Sequence, residues 1–273
     1  MKKLMPVGID IESIPTQDEE KIAYHKLQAE GKTPTPPKTK GDMAKDLELP
    51  EAAANGISAV DMQKLWVDKF RLSAVEKAFD ESYRKTSFSA GDGGEIISVS
   101  MKPFGQDDVA TAYRHKGGDS ELSMLKRVCA YMDKLDDYAK QNNSTIQLVG
   151  ANVLLFDARF IGQRCLINGI EPPKMGLISS RYDKTKYFDV LSAWSFDDNQ
   201  SRISLNRLCN ILGIETPKGD EQGDIHGGMV WDIWNSGGED GAARIARYNA
   251  RDTAVLEPIY NKLVKLLGVD YAN

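Results

Sequence analysis

The sequence predicts an α/β protein, a mixed sheet covered by helices on both faces. Two patterns lead there. A strand opens the chain and two more follow from Glu95 onward, so three strands come in succession. After them helical and strand patterns alternate, an order that lays helices across a sheet. The 273 residues are 41% hydrophobic and 27% charged, ordinary for a globular protein and long enough for a substantial core.

Each element has its own warrant. In "VGIDIES", Val7, Ile9 and Ile11 alternate with Gly8, Asp10 and Glu12, the period of a strand. The segment from about Ser13 to Gly94 has another texture. "AEGKTPTPPKTKGD" is rich in Pro, Thr and Lys and reads as an exposed loop. "DMQKLWVDKFRLSAVEKAFDESYRK" reads as a helix with Leu65, Leu72, Val75 and Phe79 on an apolar stripe, joined by Trp66 and Phe70. "EIISVSMKPF" and "VATAYRHKG" are two strands, paired antiparallel. "DSELSMLKRVCAYMDKLDDYAKQNN" is an amphipathic helix with Leu122, Leu125, Val128, Met132 and Leu135 on one side, capped by Asp119 or Ser120. "TIQLVGAN" is a strand, "LFDARFIGQRCLINGI" a helix closed by Gly169, and "KYFDVLS" a short strand. "SLNRLCNILGI" and "GGMVWDIWNSG" are short helices, and one long helix runs from about Asp240 to Leu267.

Composition narrows the function. No apolar run approaches the ~20 residues of a membrane span, and "MKKLMPVG" is too short for a secretory signal. Cys129, Cys165 and Cys209 are scattered through apolar patterns, as reduced core cysteines of a cytoplasmic protein are. His25, His115 and His226 are equally dispersed, which speaks against a histidine metal site. A net charge of −5 and a pI near 5.4 argue against broad coating of duplex DNA.

Carboxylates stand where apolar residues belong. Asp10 and Glu12, at i and i+2, share one face of the first strand. On the last helix the stripe Ile245, Tyr248, Val255, Ile259, Leu263, Leu266 is interrupted by Asp252, four residues after Tyr248 and on its face. Asp157 sits in the first turn of a helix that follows a strand, a position where ligands collect in open sheets. Singly, each has a plain account as a turn residue, a cap or half of a salt bridge to Arg244 or Arg251. Together they suggest convergence on one point. Two unit charges ~4 Å apart repel by about 4 kcal/mol at an effective dielectric of ~20, so four carboxylates require cations. An all-oxygen set suits Mg²⁺ or Mn²⁺, and a pair of such ions can clamp a phosphodiester.

"DIE", the "FD" after "GAN", and "YNARD" resemble the three motifs of the DEDD 3′–5′ exonucleases, with Tyr248 marking the DEDDy branch. "DIESIP", "SLNRLCNILGIETPKGD" and "GGMVWDIWNSG" are similar to predicted exonucleases related to the proofreading domain of family B DNA polymerases. The resemblance covers Met5 to Ser13 and roughly Gly94 to the end. It implies a ribonuclease H-like fold, a five-stranded mixed sheet flanked by helices, with a largely helical insertion at about 13–94 of one 1–273 exonuclease domain. It further implies two divalent ions and release of nucleoside monophosphates from a 3′ end. Asp10, Glu12 and Asp252 would hold the tighter ion, with Asp10 shared by the second. Asp157 would act directly or through water, and Tyr248 would orient the attacking water. Asn152 matches a position that often carries a polar residue facing the site, and Asp189 an acidic one; Phe156 and Lys218 are further candidate substrate contacts. "GAN" departs from the more usual "WNG" or "HN", and the insertion does not map onto the family.

Two uses of the insertion stay open: a helix packed on the domain, or a lid with Lys32, Lys38 and Lys40 on phosphates and Trp66 stacked on a base. It is also a candidate dock for a replication or repair protein. The expected partner is nucleic acid with a free 3′ end, single-stranded DNA favoured, with no membrane. The expected protein is a stand-alone nuclease, since no polymerase domain fits the length. The rivals are an RNA-trimming exonuclease like ribonuclease D, and a binding module without turnover.

Overall fold

Alternation along the first strand separates two faces of a sheet. In the computed structural model, which describes residues 3–175, 185–217 and 225–268, β1 (Lys3–Ile14) carries Val7, Ile9 and Ile11 on its apolar face, all buried. β1 pairs antiparallel with β2 (Glu95–Pro103), which pairs antiparallel with β3 (Ala110–Tyr113). On its other side β1 runs parallel to β4 (Ser144–Gly150), and β4 parallel to β5 (Tyr187–Asp189). The order is β3-β2-β1-β4-β5, a five-stranded mixed sheet of ribonuclease H-like form.

Between β1 and β2 lies the helical insertion: α1 (Glu19–Glu30), α2 (Lys40–Asp46), α3 (Glu51–Asn55) and α4 (Ala59–Lys85). After β3 come α5 (Glu121–Gln141) and, following β4, α6 (Asp157–Ile167). The remainder is helical apart from β5: α7 (Val190–Ser195), α8 (Leu205–Leu212), α9 (Val230–Ser236), α10 (Gly238–Ala254) and α11 (Leu256–Leu267). Among the described residues no helix is long and apolar enough to cross a membrane.

Three buried clusters make the layers. The apolar face of β1 packs with Met124, Leu125, Val128 and Met132 of α5 and Phe160 and Ile161 of α6. On the opposite face Ile14 and Ile97 meet Val230 and Trp234 of α9 and Ala242 and Ile245 of α10. Val149 and Phe188, near the β5 edge, meet α8 and α11 through Leu208, Leu212, Ile259 and Leu263. Helices therefore cover both faces.

Several elements differ from the sequence reading. The insertion loop is shorter than its composition suggests, because α1 runs to Glu30 and Thr39 caps α2 from residue 40. The stripe of α4 is displaced: Met62, Trp66, Phe70, Phe79 and Tyr83 face inward, whereas Leu72 is 77% exposed and Leu65 lies outward too. The "KYFDVLS" strand stops at Asp189, whose carboxylate accepts from the N–H groups of Leu191 and Ser192 and so starts α7. Ser120, not Asp119, caps α5. The closing helix breaks at Val255, with Pro258 in the first turn of α11; a proline there denies a donor to the carbonyl of Ala254 and crowds it.

The pairing of β1 with β2 has one irregularity. Glu12 pairs with Ser98 but Ser13 with Ile96, so Ile97 is an extra residue in β2. This bulge lets Ile97 and Ser98 serve the same face, Ile97 in the α9–α10 cluster and Ser98 bonded to Asn249 of α10.

Candidate metal centre

The polar face of β1 is Gly8, Asp10 and Glu12, and α10 lies over it. Gly8 allows the close approach. A Cβ there would stand 3.1 Å from Phe104 Cε1 and 3.4 Å from the Thr253 carbonyl oxygen. Thr253 follows Asp252, so the missing side chain of Gly8 helps to seat Asp252 beside Asp10. The strand neighbours of the acids are Ser100 opposite Asp10 and Ser98 opposite Glu12, both buried and uncharged. Because β1, β4 and β5 are parallel, their carboxyl ends share one edge, and there β4 hands over to the turn that carries Asp157.

The edge gathers the expected acids. Asp10, Glu12 and Asp252 each present a carboxylate oxygen, and the three oxygens lie within 4.8 Å of one another. Asp157 stands against the same strand: its Oδ1 accepts from the N–H of Ile11 at 3.1 Å, between Asp10 and Glu12. Its Oδ2 is buried with no hydrogen-bond partner. Tyr248 is half-buried and donates its hydroxyl proton to Asp252, one helical turn on.

Charge is concentrated here at an electrostatic cost. Burial, then the charges of Asp157, Glu12 and Asp252, push the Asp10 carboxyl well above the usual carboxylate range; a hydrogen bond from Asn249 opposes them. Glu12 is raised by burial, then by Asp252 and Asp157. Asp157 is pushed up to about 7, by burial first, with Asp189 adding to it against two backbone hydrogen bonds. Burial and the same carboxylates raise Tyr248 well above an ordinary phenol. The three clustered oxygens are a donor set that could hold a cation, with the partnerless oxygen of Asp157 outside that 4.8 Å group. Oxygen ligands of this kind fit Mg²⁺ or Mn²⁺.

No family model and no curated protein matches the chain.

Other residues singled out in the sequence have varied placements. Asn152, at φ 77°, accepts from Arg202 Nη1 at 2.8 Å, and its backbone N–H serves Asp189. Its polar groups so brace the turn before Asp157, while Asp189 caps α7. Phe156, just before Asp157, packs 5.2 Å between ring centroids from Phe160 and 6.3 Å from Phe88. Trp66, the candidate for stacking on a base, packs within the insertion. Its indole N–H goes to Asp46 at 2.9 Å and its ring joins Met43, Ala44, Ala54 and Met62 in the insertion's own core. Lys32 and Lys38 are exposed, and Lys40 lines a hollow of the insertion with Lys45, Leu49 and Glu51. Among the described residues, none of these three lysines bonds to the carboxylates. Lys218 lies outside the described residues.

Phe88 stands at the end of the insertion that returns to β1. Ser13, next to Glu12, donates its hydroxyl to the carbonyl of Ser87 at 2.7 Å, while the Phe88 ring leans on Phe156 and stays 62% exposed. Sequence reasoning missed Phe88, and also Asn249 and Ser98. The Asn249 amide donates to Asp10 Oδ2 at 2.6 Å, and Ser98 donates to Asn249 Oδ1 at 2.9 Å.

Proposed function

We propose that the chain is a metal-dependent 3′–5′ exonuclease that removes nucleoside monophosphates from the 3′ end of DNA, single strands favoured. The observation that carries the reading is the joint presence of Asp10, Glu12 and Asp252 within one cation's reach and Tyr248 bonded to Asp252. Asp10, Glu12 and Asp252 would hold divalent ions, with Asp157 completing the set directly or through water. Bound there, a pair of such ions supplies an activated water and neutralises charge on the phosphodiester.

The protein's own groups do the positioning. Tyr248 stays protonated at neutral pH because burial and the carboxylates oppose its ionisation. With its O–H directed to Asp252 in a hydrogen bond, its oxygen retains lone pairs and can accept a hydrogen bond from water, which aims that water without deprotonating it. Asp157 is held to the strand by one oxygen, and its second, buried and without a hydrogen-bond partner, is left to accept from a bound water or ion. A cytoplasmic location accompanies this reading, since Cys129, Cys165 and Cys209 are buried free thiols.

The test is digestion of 5′-labelled single-stranded DNA and RNA with Mg²⁺ or Mn²⁺. Wild type should shorten DNA from the 3′ end, chelator should stop it, and Asp10→Asn and Asp252→Asn should each remove activity from a folded protein. Degradation of RNA alone would favour the ribonuclease D-like reading. Wild-type rates from both variants would refute the site.

A further inference from the structure

We infer that Asn249, its amide oriented by Ser98, is the positioning residue that fixes the Asp10 carboxylate for metal binding. The inference rests on reading the carboxylates as a metal centre and does not depend on which nucleic acid, if any, is cut.

The chemistry of the contacts fixes the orientation of the amide. An ionised carboxylate is only an acceptor, so Asn249 must turn its NH₂ to Asp10 and its carbonyl oxygen away. That oxygen then needs a donor, and the Ser98 hydroxyl supplies it at 2.9 Å. Asn249 and Ser98 are both fully buried, so water cannot substitute for either. Ser98 reaches this position by its regular pairing opposite Glu12, which sets it on the face that α10 covers. Thr253 also bonds back to the Asn249 carbonyl at 3.0 Å, tying its backbone down.

Asp10 needs such a hold. Its oxygen lies within 4.8 Å of those of Glu12 and Asp252, so the three can share an ion only while the Asp10 side chain keeps this orientation. The amide on Oδ2 fixes that orientation and keeps the carboxylate aimed at its neighbours before any ion arrives. An ordinary packing role would be met by any group that fills the volume. This network instead ends on one oxygen of one candidate ligand, through a buried hydroxyl on the neighbouring strand. Partners of this sort set both ligand orientation and metal affinity.

Titration of Mn²⁺ into the full chain, followed by calorimetry, tests the idea with three variants checked for folding by circular dichroism. Asn249→Leu keeps the volume but no donor, and should weaken Mn²⁺ binding by about 10- to 100-fold. Ser98→Ala should weaken it less. The double variant should be no worse than Asn249→Leu, because Ser98 acts through the amide. On a DNA substrate kcat should fall with KM little changed. Wild-type Mn²⁺ affinity in folded Asn249→Leu overturns the inference. Should that variant fail to fold, unchanged affinity in Ser98→Ala overturns it instead. Wild type that binds no Mn²⁺ also overturns it. Wild type that binds Mn²⁺ but cuts nothing, with affinity lost in Asn249→Leu, would sink the exonuclease reading and leave this one standing.

Discussion

Tyr248 illustrates how one atom divides packing from chemistry. Its ring packs against the α9–α10 cluster, and its hydroxyl points to Asp252. Tyr248→Phe keeps the ring and removes the group that would aim the water. Activity should fall ~10²–10⁴-fold, the usual contribution of such a group, while Mn²⁺ affinity stays near wild type. A fully active Phe variant would reduce Tyr248 to packing. The acids make a second statement at this scale. The folded-state carboxyls of Asp10, Glu12 and Asp157 are all raised, Asp157 to about 7. A raised carboxyl favours the folded state at low pH, below its unfolded value, and that stability is lost as pH climbs through the folded value. Metal-free protein should therefore lose thermal stability from about pH 4 to 7, by several degrees, and added Mg²⁺ should restore it at neutral pH. A midpoint that rises with pH in chelator, measured by scanning calorimetry, would contradict this. Asp252 is legible in the sequence because it breaks an apolar stripe, Asp10 and Glu12 because they share one face of a strand, Asp157 because it opens a helix after a strand, and Tyr248 because it stands one turn before Asp252. Asn249 and Ser98 are not, since Asn and Ser are unremarkable in any strand or helix. Their value lies in contacts across 151 and 239 residues of sequence, which no local pattern encodes.

Elements are legible in the sequence where one face dominates. The α5 stripe and the β1 alternation are clear because the apolar residues of each enter one and the same core. The α4 stripe is harder to place because the helix serves two partners. Near its start Met62 and Trp66 pack on α2 and α3; near its end Tyr83 bonds to the Thr16 carbonyl and meets Trp231. Leu65 and Leu72 are exposed and take part in neither set. The insertion's two ends are joined beside the site by the Thr16 N–H to Thr86 hydroxyl bond, and Arg84 ties α4 to Asp232 of α9. Its contribution to a substrate is therefore expected at this fastened base. Phe88→Ala should raise KM for single-stranded DNA by up to the ~1–3 kcal/mol of one base stack, with kcat nearly unchanged. Trp66→Phe, which keeps the insertion core filled, should not. Equal KM values for Phe88→Ala and wild type would leave the exposed ring without a binding role.

At the scale of the whole molecule, the order of elements is readable because three strands precede an alternation of helix and strand. The break at Val255 is less so, because the apolar stripe continues through it in phase. β1 is the central strand, and both of its neighbours come from far along the chain: Ile14 pairs with Glu95, and Lys3 with Ser144. Asp252 arrives later still. No short stretch of chain holds even two corners of the acid cluster apart from Asp10 and Glu12. In kinetic terms the fold is one of high contact order, and its loops must close before the central pairings are rewarded. The acids then meet only when nearly everything else is in place. On this argument we expect repulsion among them to be met late, after the barrier to folding, and a bound ion to act on the same late step. Metal should accordingly hold the finished protein shut, slowing its unfolding, and do little to hasten its formation.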